Sequence, residues 1–217
     1  MKRESPSSAL VVMARYPALG EVKTRLAATL GAERACALYR AFLSDLDQRF
    51  TKGPRALIWA HHPPGRDFAA AIGTRARCIP QVGADLGERM HNVFRLLCGE
   101  GFGRVVIIGA DVPHVRIEWL DEADAQLAAA DVVLGPTVDG GYYLIAMHAP
   151  HDVFSGIPMS TPHVLAATRT KAAATGLRVH LLPPSFDIDE VDDLERLRDV
   201  LARDPLLALP ATKAALR

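Results

Sequence analysis

The 217-residue chain has only three cysteines, Cys36, Cys78 and Cys98, and they lie far apart. Without paired spacing they build neither a zinc knuckle nor a disulfide framework. A reducing compartment is the simplest setting, and the thiols read as small buried hydrophobes. An excess of either charge is also missing, with 25 Lys and Arg against 25 Asp and Glu. Nucleic-acid binders usually carry a basic surplus, so nucleic acid is not an expected partner. The hydrophobic share of 49% argues against disorder. No apolar run reaches the roughly 18 residues of a transmembrane helix, so no membrane partner is expected. The charged N-terminus leads into an apolar run of strand length and then a Pro/Gly loop. That is the pattern of a first strand, not of a secretion signal, and the expected location is cytoplasmic. Several catalytic signatures are missing too. There is no Walker loop, dinucleotide fingerprint, Gly-x-Ser-x-Gly elbow or His-Glu-x-x-His pair. His61 and His62 are adjacent, while His91, His114 and His163 stand alone. They read as core or surface residues.

What is present is a regular alternation of strand and helix patterns. Val105-Val106-Ile107-Ile108 are four consecutive β-branched residues with nothing polar between them. Such a run suits a strand covered on both faces, as in a parallel α/β sheet. Strands are also predicted at 9–14, 56–60, 76–80, 131–136, 142–147 and 177–182. Helices are expected near 32–50, 66–72, from Asp85 onward, and near 117–129. Thr161 before Pro162 predicts a further helix running to Thr175, and Asp192 with Glu195 opens the last one. Beyond it a loosely packed tail is expected. Tyr39, Phe42, Leu43, Leu46 and Phe50 share one helical face. Asp85 and Glu88 have capping-box spacing. No composition break or repeat divides the chain, so residues 1–217 read as one α/β domain with a mostly parallel sheet. The turn signal Asp139-Gly140-Gly141 adds a strand that makes the sheet mixed.

Ligands of open α/β sheets bind outside the carboxyl ends of the strands. Asp111 falls there, after the central strand. Two readings fit it: a divalent-metal ligand facing a phosphate, or a turn and cap residue. Asp139, Asp187 and Asp189 also follow predicted strands, and Asp187 and Asp189 would point the same way in an extended segment. Magnesium takes oxygen ligands, usually one or two carboxylates plus substrate phosphates. The loop after the first strand carries Gly20, Lys23, Thr24 and Arg25. Backbone N–H groups and positive charge there suit phosphate; an ordinary solvated basic loop is the alternative. Tyr142 and Tyr143 read as sheet residues, one of whose rings could stack on a base or sugar.

Five stretches, taken together, resemble the rSAM/selenodomain-associated transferases, relatives of the GT-A nucleotide-diphospho-sugar transferases. They are residues 14–26 (Ala-Arg-Tyr-Pro-Ala-Leu-Gly-Glu-Val-Lys-Thr-Arg-Leu), 85–90, 108–113, 133–145 (with Asp139-Gly140-Gly141-Tyr142-Tyr143) and 186–194 (Phe-Asp-Ile-Asp-Glu-Val-Asp-Asp-Leu). The resemblance implies a GT-A-like three-layer α/β/α sandwich with a nucleotide or nucleotide-sugar in the first-loop half. By it, Gly20, Lys23, Thr24 and Arg25 form the nucleotide loop. Asp111 with Asp187 or Asp189 holds Mg2+ or Mn2+, and Asp139, Gly140 and Gly141 line the pocket of a small-molecule or glycan acceptor. Met159 stands where the family would have tryptophan.

The leading expectation is therefore a metal-dependent transferase using a nucleotide-diphospho-sugar, with Lys23 stabilising charge and Asp139 acting as base. A nucleotidyltransferase joining a nucleoside triphosphate to a small phosphorylated acceptor is the alternative within the fold. A non-catalytic nucleotide-binding subunit is the alternative outside it.

Overall fold

A computed structural model of the protein describes residues 8–217. Its elements run β1 (Ser8–Arg15), α1 (Thr24–Leu30), α2 (Ala32–Phe50), β2 (Ala56–His62), α3 (Phe68–Ile72), β3 (Arg77–Pro80), α4 (Leu86–Gly99), β4 (Arg104–Gly109), α5 (Ile117–Gln126), β5 (Val132–Pro136), β6 (Tyr142–Met147), α6 (Val164–Ala174), β7 (Val179–Leu181), α7 (Val191–Arg203) and α8 (Pro210–Ala215). The strands form one seven-stranded sheet in the order β3-β2-β1-β4-β6-β5-β7. Only β6 runs against its neighbours β4 and β5; the other pairings are parallel. The mixed, mostly parallel sheet expected from the sequence is present, and the antiparallel strand is the one after Asp139.

Helices cover both faces. Leu10, Val12 and Ala14 of β1 pack with α2, α5 and α7 through Phe42, Leu46, Leu120 and Leu197. Ala9 and Val11 face the other way, onto Met90, Val93, Phe94 and Leu97 of α4. This period-2 division of an all-apolar strand is what burial on two faces requires. Trp59 and Phe42 are fully buried in the first layer.

Four local expectations need correction. A short helix, α1, begins at Thr24, inside what reads as a loop, and Gly31 separates it from α2. Asp85 does cap α4, taking the Glu88 N–H at 2.8 Å, but the Glu88 carboxylate takes the Ala84 N–H instead of completing a box on Asp85. Helix α7 does open where Asp192 and Glu195 place it, and the Asp193 carboxylate takes the Glu190 N–H at its start. Helix α6 starts at Val164, after Pro162, because Leu165 N–H bonds to Gly140 O and draws the preceding residues into the cleft wall. The tail is not loose. Asp45, fully buried in α2, accepts the N–H groups of Ala211 and Thr212 at 3.0 and 2.7 Å, which anchors α8. An aspartate on the first N–H groups of a helix is favourable, and here it is supplied from a distant element.

Because β1, β4, β5 and β7 are parallel, their carboxyl ends open on one side, and β6 enters from that side. The loops after β1 and β4, the β5–β6 turn and the segment after β7 therefore meet at one rim.

Candidate functional site

At that rim lies a cleft of about 860 Å³. It is lined by the first loop (Glu21 to Arg25), by Asp111, by Thr137, Asp139 and Gly141, by Met159 to Pro162, and by Asp187 and Asp189. Its size suits a nucleotide or nucleotide-sugar.

The acidic wall is assembled by backbone. Ile188 N–H donates to Asp111 O at 3.0 Å, which fixes the 187–189 segment beside the end of β4. Ile188 is fully buried, so in this extended segment Asp187 and Asp189 face the cleft together. Gly109 makes room for Asp111: a Cβ there would stand 2.3 Å from Asp111 Oδ1. Nothing in the local pattern singles out that glycine.

The basic wall is Lys23. It precedes α1 with φ 47° and ψ 47°, a left-handed conformation that non-glycine residues rarely adopt. This turns the side chain inward, where it is 7% exposed. Its Nζ lies 2.8 Å from Asp189 Oδ1 and 3.5 Å from Asp111 Oδ2. Burial acts to lower its pKa, but Asp111, Asp189 and Asp187 outweigh burial and hold the ammonium above its ordinary value. Tyr39 secures the loop from beneath: its hydroxyl accepts Arg15 N–H at 2.9 Å and donates to Arg15 O at 3.2 Å. Gln81 bonds Ala14 O and Ala60 O in the same floor. Neither residue carries a sequence signal, since each acts through a backbone group brought close by the fold.

One lysine does not balance the wall it faces. Asp187 is pushed up to about 7 by burial and by the charges of Asp111, Asp139 and Asp189. An unneutralised set of carboxylate oxygens beside a cleft is the donor chemistry Mg2+ or Mn2+ takes. The residues present therefore fit such an ion.

Thr24 lines the cleft. Arg25 is 70% exposed and lies 4.0 Å from Asp189 and 3.8 Å from Glu190, free to swing onto a ligand. Asp139 is exposed. Its Oδ1 accepts from the Thr137 hydroxyl and from Gly141 N–H at 3.2 Å, leaving Oδ2 unspent. That Gly141 N–H is thus committed to Asp139, not offered to a ligand. Gly20 and Gly140 do not line the cleft. Gly140 serves packing: a Cβ there would stand 2.0 Å from Pro162 O. Tyr142 and Tyr143 both line the cleft, Tyr143 buried with its hydroxyl on Pro183 O. Met159 lines it too, against Gly87. Burial, with the charges of Arg89, Arg15 and His61, holds the His62 imidazole below its ordinary value.

This fold is that of the nucleotide-diphospho-sugar transferases. A protein from Desulfovibrio desulfuricans, provisionally described as a nucleotide-diphospho-sugar transferase, matches with a TM-score of 0.86 and 34% identity over 98% of this chain and 97% of its own. A nucleotidyl transferase from Methanothermobacter matches with a TM-score of 0.56 and 18% identity, over 90% of this chain and 98% of that one. A CMP:2-keto-3-deoxy-manno-octonic acid synthetase in complex with CTP matches with a TM-score of 0.52 and 13% identity, over 91% and 99%. The chain belongs to the family described as "uncharacterized protein conserved in bacteria", DUF2064, whose model matches residues 44–161. No curated protein matches the sequence.

Proposed function

We propose that this protein is a metal-dependent transferase acting on a nucleotide-diphospho-sugar. The observation that carries the reading is the pairing of buried Lys23 with the Asp111, Asp187 and Asp189 wall across a cleft of nucleotide-sugar size. Asp111, with Asp187 or Asp189, would hold Mg2+ or Mn2+. When bound, the ion would neutralise the diphosphate and stabilise the leaving group.

The chain's own residues supply the rest. Lys23 is a point charge already desolvated at the cleft, and electrostatics count for more there than in water. Arg25 offers a fork that matches phosphate oxygens. Asp139 presents its unspent oxygen to an acceptor hydroxyl, with Thr137 and Gly141 fixing its rotamer. Met159 and Tyr142 give the acceptor side an apolar surface. The relative from Desulfovibrio desulfuricans, similar over nearly its whole length, carries a description of the same class. The narrower kinship with the rSAM/selenodomain-associated group rests on the five motifs alone.

The second reading, nucleotidyl transfer, draws on the fold shared with a CTP-binding synthetase. The products separate the two: glycosyl transfer releases a nucleoside diphosphate, and nucleotidyl transfer releases pyrophosphate. Clean binding without turnover on a donor–acceptor panel would instead favour a non-catalytic subunit. Calorimetry with nucleotide-sugars and Mn2+ tests the site. Asp111→Asn is expected to abolish metal-dependent binding with the fold intact. Unchanged binding in that variant overturns the assignment.

A further inference from the structure

Among the described residues, one group of His, Cys, Asp and Glu side chains has three donor atoms already within 4.8 Å of one another, and it is not in the cleft. It is Asp131, His148 and His151, at the opposite end of the sheet. Strand register puts them there. Val132 pairs with Met147 across β5 and β6, so Asp131, one residue before β5, stands beside His148, one residue after β6. Val132 also pairs with Val179 of β7, which sets Asp131 beside Arg178. His151 returns to the same point because the chain folds tightly after β6, with His151 N–H on Ala149 O at 2.8 Å and Val153 N–H on His151 O at 3.1 Å.

Two observations point to a ligand. The His151 Nε2 is buried and has no hydrogen-bond partner. A buried ring nitrogen without a partner is a cost that proteins ordinarily avoid. Asp131, for its part, is pre-oriented. Its Oδ2 takes the Arg178 N–H at 2.8 Å and Nε at 3.2 Å, while Oδ1 has only a 3.4 Å contact with Arg178 Nη2. A carboxylate held by hydrogen bonds to one oxygen, with the other oxygen only weakly engaged, is how carboxylate ligands of metals are commonly supported.

We infer that Asp131, His148 and His151 form a binding site for a transition-metal cation of the Zn2+ type, separate from the cleft. Two imidazoles and one carboxylate suit Zn2+, Cu2+ or Ni2+, whereas Mg2+ and Ca2+ prefer oxygen alone. His148 is exposed, so the remaining coordination positions face water. A bound ion ties the segment after β6 to the start of β5 and, through Arg178, to β7. It therefore stabilises the native state in proportion to the logarithm of its concentration over its dissociation constant.

The test is calorimetric titration of the full chain with Zn2+, in excess Mg2+ to compete for the carboxylates of the cleft. One equivalent of Zn2+ is expected to bind at micromolar concentration or below. His148→Asn and His151→Asn should each weaken binding by at least ~10-fold. His180→Asn, away from the cluster, should leave it unchanged. His148 is exposed, so its variant keeps the test valid even if the half-buried His151 variant folds poorly. Thermal unfolding gives a second reading, with a Zn2+-induced rise in Tm that both variants lack. Binding no tighter than ~1 mM, or binding equal in wild type and His148→Asn, overturns the inference.

Discussion

The two ends of the sheet each set one dominant cation against acid, yet they behave in opposite ways. At the carboxyl end, the buried Lys23 ammonium faces Asp111, Asp187 and Asp189, and Asp187 rises to about 7. At the other end, Arg178 contacts the single Asp131, whose hydrogen bonds to Arg178 bring it down to about 2. The difference is in the ratio of charges and in the geometry. An ammonium is one point shared among several acids, while a guanidinium and its own backbone N–H clasp one acid from two sides. The first end is left short of positive charge and is suited to a divalent ion with phosphates. The second has a carboxylate anchored through one oxygen and an unpartnered imidazole nitrogen, a donor set for a different class of metal.

The largest effect that would break this contrast is at Lys23. Lys23→Met should lower turnover by roughly 10²–10³-fold, the scale for losing one charge-stabilising group in a preorganised site. Steady-state kinetics on a nucleotide-sugar checks it, and a loss under tenfold would remove Lys23 from the machinery. Next is Gly109→Ala. Its Cβ would meet Asp111 Oδ1 at 2.3 Å, and displacing a reacting geometry by about 1 Å can cost on the order of 10²-fold. Zn2+ binding at the far end should not change in the same protein, so a parallel loss at both ends would mean general misfolding.

A third prediction concerns acid. His114, buried beneath the rim, bonds Ser185 at 3.2 Å and stacks on Phe186. Burial, with Arg49 and Arg116 nearby, pushes it down to about 4. It is neutral in the folded state and gains a proton on unfolding below its ordinary value of about 6.5. Stability from this group is thus full above about pH 6.5 and is lost as pH falls towards 4, by at most about 3 kcal/mol. Denaturant titrations between pH 4 and 7 should show that slope, and His114→Gln should flatten it. The smallest effect is at Asp187. Asp187→Asn removes a charge repelled by Asp111, Asp139 and Asp189. It should gain about 1 kcal/mol of stability at pH 8, while weakening divalent-dependent nucleotide binding. A drop in Tm there would show that Lys23 already balances the wall.

Much of the candidate site was legible because its chemistry is local. Asp111 ends a β-branched run, and Asp187-Ile188-Asp189 alternates in a way that itself puts both acids on one side. Lys23 sits in a loop whose composition suits phosphate. What could not be read was support that acts through backbone or across distance. Tyr39 holds Arg15 from 24 residues away, and Asp45 caps α8 from 166 and 167 residues away. Gly109 and Gly140 are defined by what would clash with a side chain, which no local pattern announces. Among the histidines, the sequence favoured none, and of the two that converge, His148 meets Asp131 through strand register and His151 through the tight fold after β6.

By itself, the sequence determined the order of strands and helices, the mixed character of the sheet and the carboxylates at its carboxyl end. Periodicity and chain-local chemistry are sufficient for these. The tertiary structure alone decided which cation meets which acid. It placed Lys23 between Asp111 and Asp189, and Arg178 on Asp131, because charge pairing depends on distances of a few ångströms between segments far apart in the chain.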